Sequence, residues 1–200
     1  RSGKGVGLIL PTLLSWPGST LTLDIKGENW ALTSGWRKSQ GHKVLRFAPA
    51  DSSGFGCAFN PLDEIRLTSL EAVQDVQNLA LMLVDPDGKG LEDHWTKAAF
   101  AFFSGLILHC CVVVRSRQGR MPSLQELTLM MSDPDRTTAE LLDEMMVMDH
   151  AMLFREFAPD ADARVGEACH IFIASSAREM AAKAENEASG VLSSALVNMA

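Results

Sequence analysis

No two of the four cysteines, Cys57, Cys110, Cys111 and Cys169, are spaced as C-x-x-C, which removes the commonest zinc-binding pattern. Adjacent Cys110 and Cys111 lie in an apolar run and read as buried thiols of a reducing compartment. A full-length membrane span is also missing. The run from Ala98 to Val114 holds 17 residues without Asp, Glu, Lys or Arg, where a spanning helix needs ~20 apolar residues. Ser104, Gly105 and His109 interrupt it, and Glu92-Asp93 precede it, so it reads as the central buried helix of a bundle. No secretory signal, internal repeat or low-complexity tract is visible. Positive charge is scarce where a nucleic-acid platform would need it: residues 67–200 hold 10 Lys+Arg against 20 Asp+Glu, whereas residues 1–66 hold 8 against 5. Binding to nucleic acid rests on cations that neutralise phosphates, so the acidic part better suits a solvated helical surface or a basic protein partner.

The chain does carry an anion-binding pattern at its beginning. Arg1-Ser2-Gly3-Lys4-Gly5-Val6-Gly7 leads into a helix-like apolar stretch, Leu8 to Leu14. A Pro17-Gly18 turn and a strand-like run, Ser19 to Asp24, follow. A Gly-Lys turn opening a helix presents unpaired backbone N–H groups to a phosphate, and a lysine there reaches the outer phosphates. The full pattern is G-x-x-x-x-G-K-[ST]; here the first glycine would fall before residue 1, and Gly5 stands at the hydroxyl position.

Two textures divide the chain. Up to about residue 66, short helix and strand patterns alternate, with strands expected at 19–24 and 43–48 and a helix near 28–39. That order is the signature of a parallel sheet with crossover helices. A glycine-rich loop, Asp51 to Gly56, and Phe59-Asn60-Pro61-Leu62 lead out of it. From 67 onward the pattern is helical. Ser69 is expected to cap a helix through about Val84, with Leu70, Val73, Val76, Gln77 and Ala80 as its inward stripe. Asp85 to Gly90 breaks it, and a long helix follows from about Glu92 to Arg115, with acids in its first turn and Trp95 packed inward. Pro122-Ser123 restarts helix from Leu124 to Met131. Asp133-Pro134-Asp135 breaks it again, and Thr137 or Thr138 opens a helix through about Met148. The last stretch, Ala163 to Met199, reads as one helix or two joined near Ser189-Gly190. His109 and His170 read as hydrogen-bonded core histidines, and Met145-Met146-Val147-Met148 as core filler.

Four segments, in order along the whole chain, resemble the TraG-type coupling ATPases of conjugation and type IV secretion. They are the loop Arg1 to Gly7 with the helix after it; Leu23-Asp24-Ile25-Lys26-Gly27-Glu28-Asn29-Trp30, similar to the family's strand-end D-x-K-G-E; Asp85 to Trp95, similar to the signature opening its helical domain; and Ala184 to Ala195, similar to a segment near that domain's far end. The resemblance implies an α/β fold: the start of a RecA-like P-loop motor over residues 1–66, then an inserted all-α domain over 67–200. It implies ATP and Mg²⁺ as cofactors and a homohexamer held in the bacterial inner membrane by helices before Arg1, its motor facing the cytoplasm. The implied partners are single-stranded DNA, relaxosome or effector proteins, and the components of the secretion channel. Carried over by residue, Gly3, Lys4, Gly5 and Val6 are phosphate-loop positions. Gly5 departs from the Ser/Thr of P-loop proteins at large, which leaves the magnesium hydroxyl ligand to water or another group.

The acidic Walker B strand is expected beyond Ala200, so the catalytic acids are unassigned and the isolated chain is expected not to turn over ATP. Asp24 and Glu28 suit two roles, contact with magnesium-bound water at a strand end or capping of the helix that follows. Two other readings stay open: a non-catalytic docking module for substrate proteins, and a related hexameric DNA translocase or pilus-assembly ATPase.

Overall fold

A computed structural model describes residues 3–50, 54 and 56–183. The segment Ala184 to Ala195 and most of the loop from Asp51 lie outside the described residues. The chain forms two compact units, Arg1–Phe59 and Asn60–Ala200.

The first unit holds two helices. A widened, π-type turn over Gly5–Ile9 runs directly into α1, Leu10–Ser15, with Pro11, which has no N–H to donate, as the second residue of α1. Helix α2 spans Glu28–Ser39, as the sequence predicts. It begins after Gly27, whose φ of 71° lies in the left-handed region that glycine adopts without strain.

The expected α/β fold is not found. Among the described residues every regular element is helical and there is no strand or sheet. The strand expected at 19–24 makes no ladder, and Leu21 and Leu23 in it are 103% and 87% exposed. The strand expected at 43–48 forms no ladder among the described residues, although the Cys57 N–H donates to the carbonyl of Arg46 at 2.7 Å. A strand is stable only as one member of a hydrogen-bonded set, and β propensity expresses packing against neighbours that these runs lack.

The second unit is a self-contained helical core. After a short 3₁₀ turn at Pro61–Glu64 come α3 (Ala72–Val84), α4 (His94–Gln118), α5 (Leu124–Ser132), α6 (Thr138–Val147), α7 (His150–Phe157) and α8 (Ala163–Ala181). Helix α4 packs against α3, α7 and α8, and α8 also receives α6 and α7. Buried Phe102, Phe103, Leu106, Ile107 and Leu108 of α4 sit with Val76, Leu127, Met145, Phe154 and Ile173 in one core. Among the described residues α4 alone has the length and apolar content to cross a membrane, and most of that stretch is buried against its neighbours. Gly105 lets α4 and α8 touch: a Cβ there would meet the Ser176 Cβ at 2.4 Å.

Local chemistry sets the boundaries. Asp93 caps α4 by accepting the Thr96 N–H at 2.8 Å. Ser123 with Glu126 and Thr137 with Glu140 form reciprocal capping boxes at α5 and α6. Three expectations change. Helix α3 begins at Ala72 with Glu71, not Ser69, at its N-cap, and its inward face is Ala72, Val76, Leu79, Ala80 and Val84, leaving Leu70 exposed. Trp95 is 42% exposed rather than packed inward. Of the methionine-rich stretch only Met145 is fully buried, while Val147 is exposed.

Candidate phosphate-binding loop

Gly3 has φ +60°, after which Lys4 adopts helical angles of −59° and −36°. The first helical bond runs from the Gly7 N–H to the Gly3 carbonyl at 2.8 Å. The amides of Lys4, Gly5 and Val6 precede this bond and have no backbone partner among the described residues. Lys4 through Ile9 are exposed. Gly5 and Gly7 are not in the left-handed region, and a Cβ added to either would meet nothing within 4 Å. Neither glycine is demanded by the chain's own packing.

Asp24 is half-buried. Its Oδ2 accepts the Trp30 N–H at 2.8 Å, and its Oδ1 lies 3.4 Å from the Asn29 side-chain amide. This carboxylate thus serves the open first turn of α2. Glu28 is the exposed first residue of that helix. No hydrogen bond or ion pair joins Lys4 to Asp24 or Glu28 among the described residues. The groove formed in this unit, about 350 Å³, is lined instead by Trp30, Ser34, Lys38, Arg46 and Cys57. No cluster of three or more His, Cys, Asp or Glu residues could hold a metal among the described residues. Gly5 brings no hydroxyl to this loop, and Asp24 is engaged at the Trp30 amide.

What holds the loop helix is a residue pair the sequence reading missed. Arg37, only 8% exposed, donates Nη1–H to the carbonyls of Leu13 at 2.8 Å and Trp16 at 3.0 Å, and Nη2–H to Gly18 at 2.9 Å. Beside it, Trp36 donates Nε1–H to the Leu14 carbonyl at 2.9 Å. The carbonyls at a helix end have no intrahelical partner, and here two consecutive residues of α2 supply one. The sequence signal was weak: a basic residue in a last helical turn reads as a dipole partner on the surface.

A second polar constellation lies inside the helical unit. His109 Nδ1 is 2.8 Å from His150 Nε2, and His150 Nδ1 is 3.4 Å from His170 Nδ1. His109 Nε2 has no hydrogen-bond partner and lies 3.9 Å from Glu144, which pairs with Arg136 at 2.5 Å. The 2.8 Å contact between His109 and His150 needs one ring to donate and the other to accept, so the two neutral rings hold complementary tautomers. Burial, reinforced by the charge of His150, pushes His109 down to about 3. Burial and the neighbouring His170 push His150 down to about 4. Both rings are therefore neutral near pH 7. The expectation of hydrogen-bonded histidines holds for His109 and half-buried His170; His150, the ring between them, lies in a helix the sequence reading left out. Burial likewise raises Cys110 to about 12, Cys169 to about 11 and Cys111 well above its ordinary value, so these thiols are unreactive.

A helix opening on an exposed Gly-Lys-Gly turn, followed in the chain by a D-x-K-G-E turn and then by an all-helical unit, describes a class before it describes a protein. The family model for type IV secretory system conjugative DNA transfer matches residues 1–200, and the chain belongs to that family. It is 48% identical over 196 residues to the conjugal transfer protein TraG of Escherichia coli, which covers 98% of this chain and 28% of that protein. A second Escherichia coli TraG is 46% identical over the same length. The protein VirD4 of Rhizobium radiobacter is 40% identical over 108 residues, 54% of this chain and 16% of its own length. The chain thus spans little more than a quarter of the TraG relatives it matches. No solved structure matches it.

Proposed function

We propose that this chain is part of an ATP-driven coupling protein that recruits DNA–protein or protein substrates and passes them to a type IV secretion channel. The observation that carries the reading is the exposed Gly3–Val6 helix start. The amides of its first turn and the Lys4 ammonium are the kinds of group that hold a nucleotide's phosphates. Gly5 and Gly7 support it, because bare backbone without a packing reason suits close approach of an anion. Family membership over the whole chain supports it too. Lys4 would neutralise charge building on the outer phosphates. The hexamer, the inner-membrane location and ATP as the nucleotide belong to the same proposal.

The self-contained core of residues 60–183 favours one other reading, a docking module that binds relaxosome or effector proteins without nucleotide. ATP turnover separates the two. It is measured in a full-length family member carrying this sequence, with and without single-stranded DNA. Lys4→Ala is expected to lower turnover at least about 100-fold. Wild-type turnover in that variant would refute the phosphate role, and substrate capture indifferent to both Lys4→Ala and nucleotide would favour docking.

A further inference from the structure

Arg37 is a buried cation with no carboxylate bonded to it among the described residues; its partners are the carbonyls of Leu13, Trp16 and Gly18 and the His42 Nδ1 at 3.3 Å. Burying a charge is tolerated only where dipoles or ions replace water, and a helix C-terminus with its turn supplies such dipoles. The arrangement therefore locks Arg37 to the end of α1 and the turn after it. Trp36 adds the Leu14 carbonyl.

The other end of the same rod is the loop. From Lys4 to Ser15 the chain is continuously helical, and Leu13 is its one buried residue. Within its unit the rod is thus fixed by its C-terminal turn, while its N-terminus projects roughly 18 Å away on the ordinary rise per residue. A tilt of about 5° at the fixed end carries the loop about 1.5 Å. Reacting groups misplaced by about 1 Å lose on the order of 100-fold.

We propose that Arg37 is the positioning residue of the phosphate loop: by holding the Leu13 carbonyl of α1 and two carbonyls of the turn after it, it aims the helix start that presents Lys4 and its amides to a nucleotide's phosphates. This rests on reading Gly3–Val6 as that loop. The planar guanidinium reaches three acceptors in fixed directions, which a lysine ammonium on a flexible stem does not reproduce.

The test is binding of ATP and of adenosine by a full-length family member carrying this sequence. It compares the wild type, Arg37→Lys, Lys4→Ala and the double variant. Arg37→Lys is expected to weaken ATP about 10- to 100-fold and adenosine less than about twofold, because only phosphate contacts depend on where the loop points. In the Lys4→Ala background the same change is expected to cost less than about threefold, since groups that act as a unit are not additive. Wild-type ATP binding by Arg37→Lys overturns the proposal. Equal loss for ATP and adenosine, or a full loss retained beside Lys4→Ala, also overturns it and leaves Arg37 a purely structural residue. If Lys4→Ala alone leaves ATP affinity unchanged, the phosphate-loop reading itself fails, a result independent of Arg37. Should Arg37→Lys not fold, Trp36→Phe decides. It removes only the bond to Leu14 and is expected to weaken ATP about threefold with adenosine unchanged; unaltered ATP binding overturns the proposal.

Discussion

Acidification from pH 7 to pH 5 should loosen the helical unit through two rings. His109 and His150 are fully buried, and their folded values of about 3 and about 4 lie below the ordinary 6.5. The unfolded chain therefore binds protons that the folded chain refuses. The stability conferred by the neutral pair is complete above pH 6.5 and is lost as pH falls toward 4 and then 3. At pH 5 each ring costs about 2 kcal/mol relative to high pH, so the pair removes about 4 kcal/mol. That is a large part of a typical domain stability of about 5–15 kcal/mol. With a urea dependence of about 2 kcal/mol per molar, the unfolding midpoint should fall by about 2 M. Helicity followed by circular dichroism reads it directly. Glu126 is held down to about 2, first by the Arg120 guanidinium and then by the Ser123 amide, so its contribution is lost only in stronger acid. A His109→Leu/His150→Leu variant should show a much flatter profile between pH 7 and 5. A wild-type midpoint that is level across this range, or one that falls equally in the double variant, would refute the reasoning.

Two further outcomes follow from packing and burial. Gly105→Ala should cost about 1–3 kcal/mol, since its Cβ would sit 2.4 Å from the Ser176 Cβ. Pairing it with Ser176→Gly should recover most of the lost melting temperature, and no recovery would mean that the helices do not touch there. A thiol reagent added to folded protein should modify partly exposed Cys57 first, leaving Cys110, Cys111 and Cys169 protected until the unit opens. Labelling of all four at one rate would contradict the burial.

The helices were legible where local chemistry marks them. Ser123 with Glu126 and Thr137 with Glu140 announce α5 and α6 in the sequence, and the structure makes both capping boxes. Helix α7 was not legible. It is eight residues long, too short to be stable by itself, and it exists because it packs on α4 and α8. The runs at 19–24 and 43–48 show why alternation misleads. From Gly41 to Ala48 exposure does alternate residue by residue, yet no ladder forms, because alternation reports a half-buried surface rather than a partner. The candidate loop was readable from Gly3 to Val6, but its support was not. Arg37 meets its carbonyl acceptors across 19 to 24 residues and His150 meets His109 across 41, and no local pattern encodes such meetings.

The widened turn at Gly5–Ile9 also bears on how this segment can change over time. Inserting or deleting one residue in an ordinary helix swings everything beyond it by about 100°, so evolution rarely tolerates it. A π-type turn is the place where a helix absorbs one residue while its two ends keep their facing. Between Lys4 and Leu13 the chain can therefore lose a residue and still direct Leu13 toward α2. Homologous chains one residue shorter at this point are the length variants that this geometry admits.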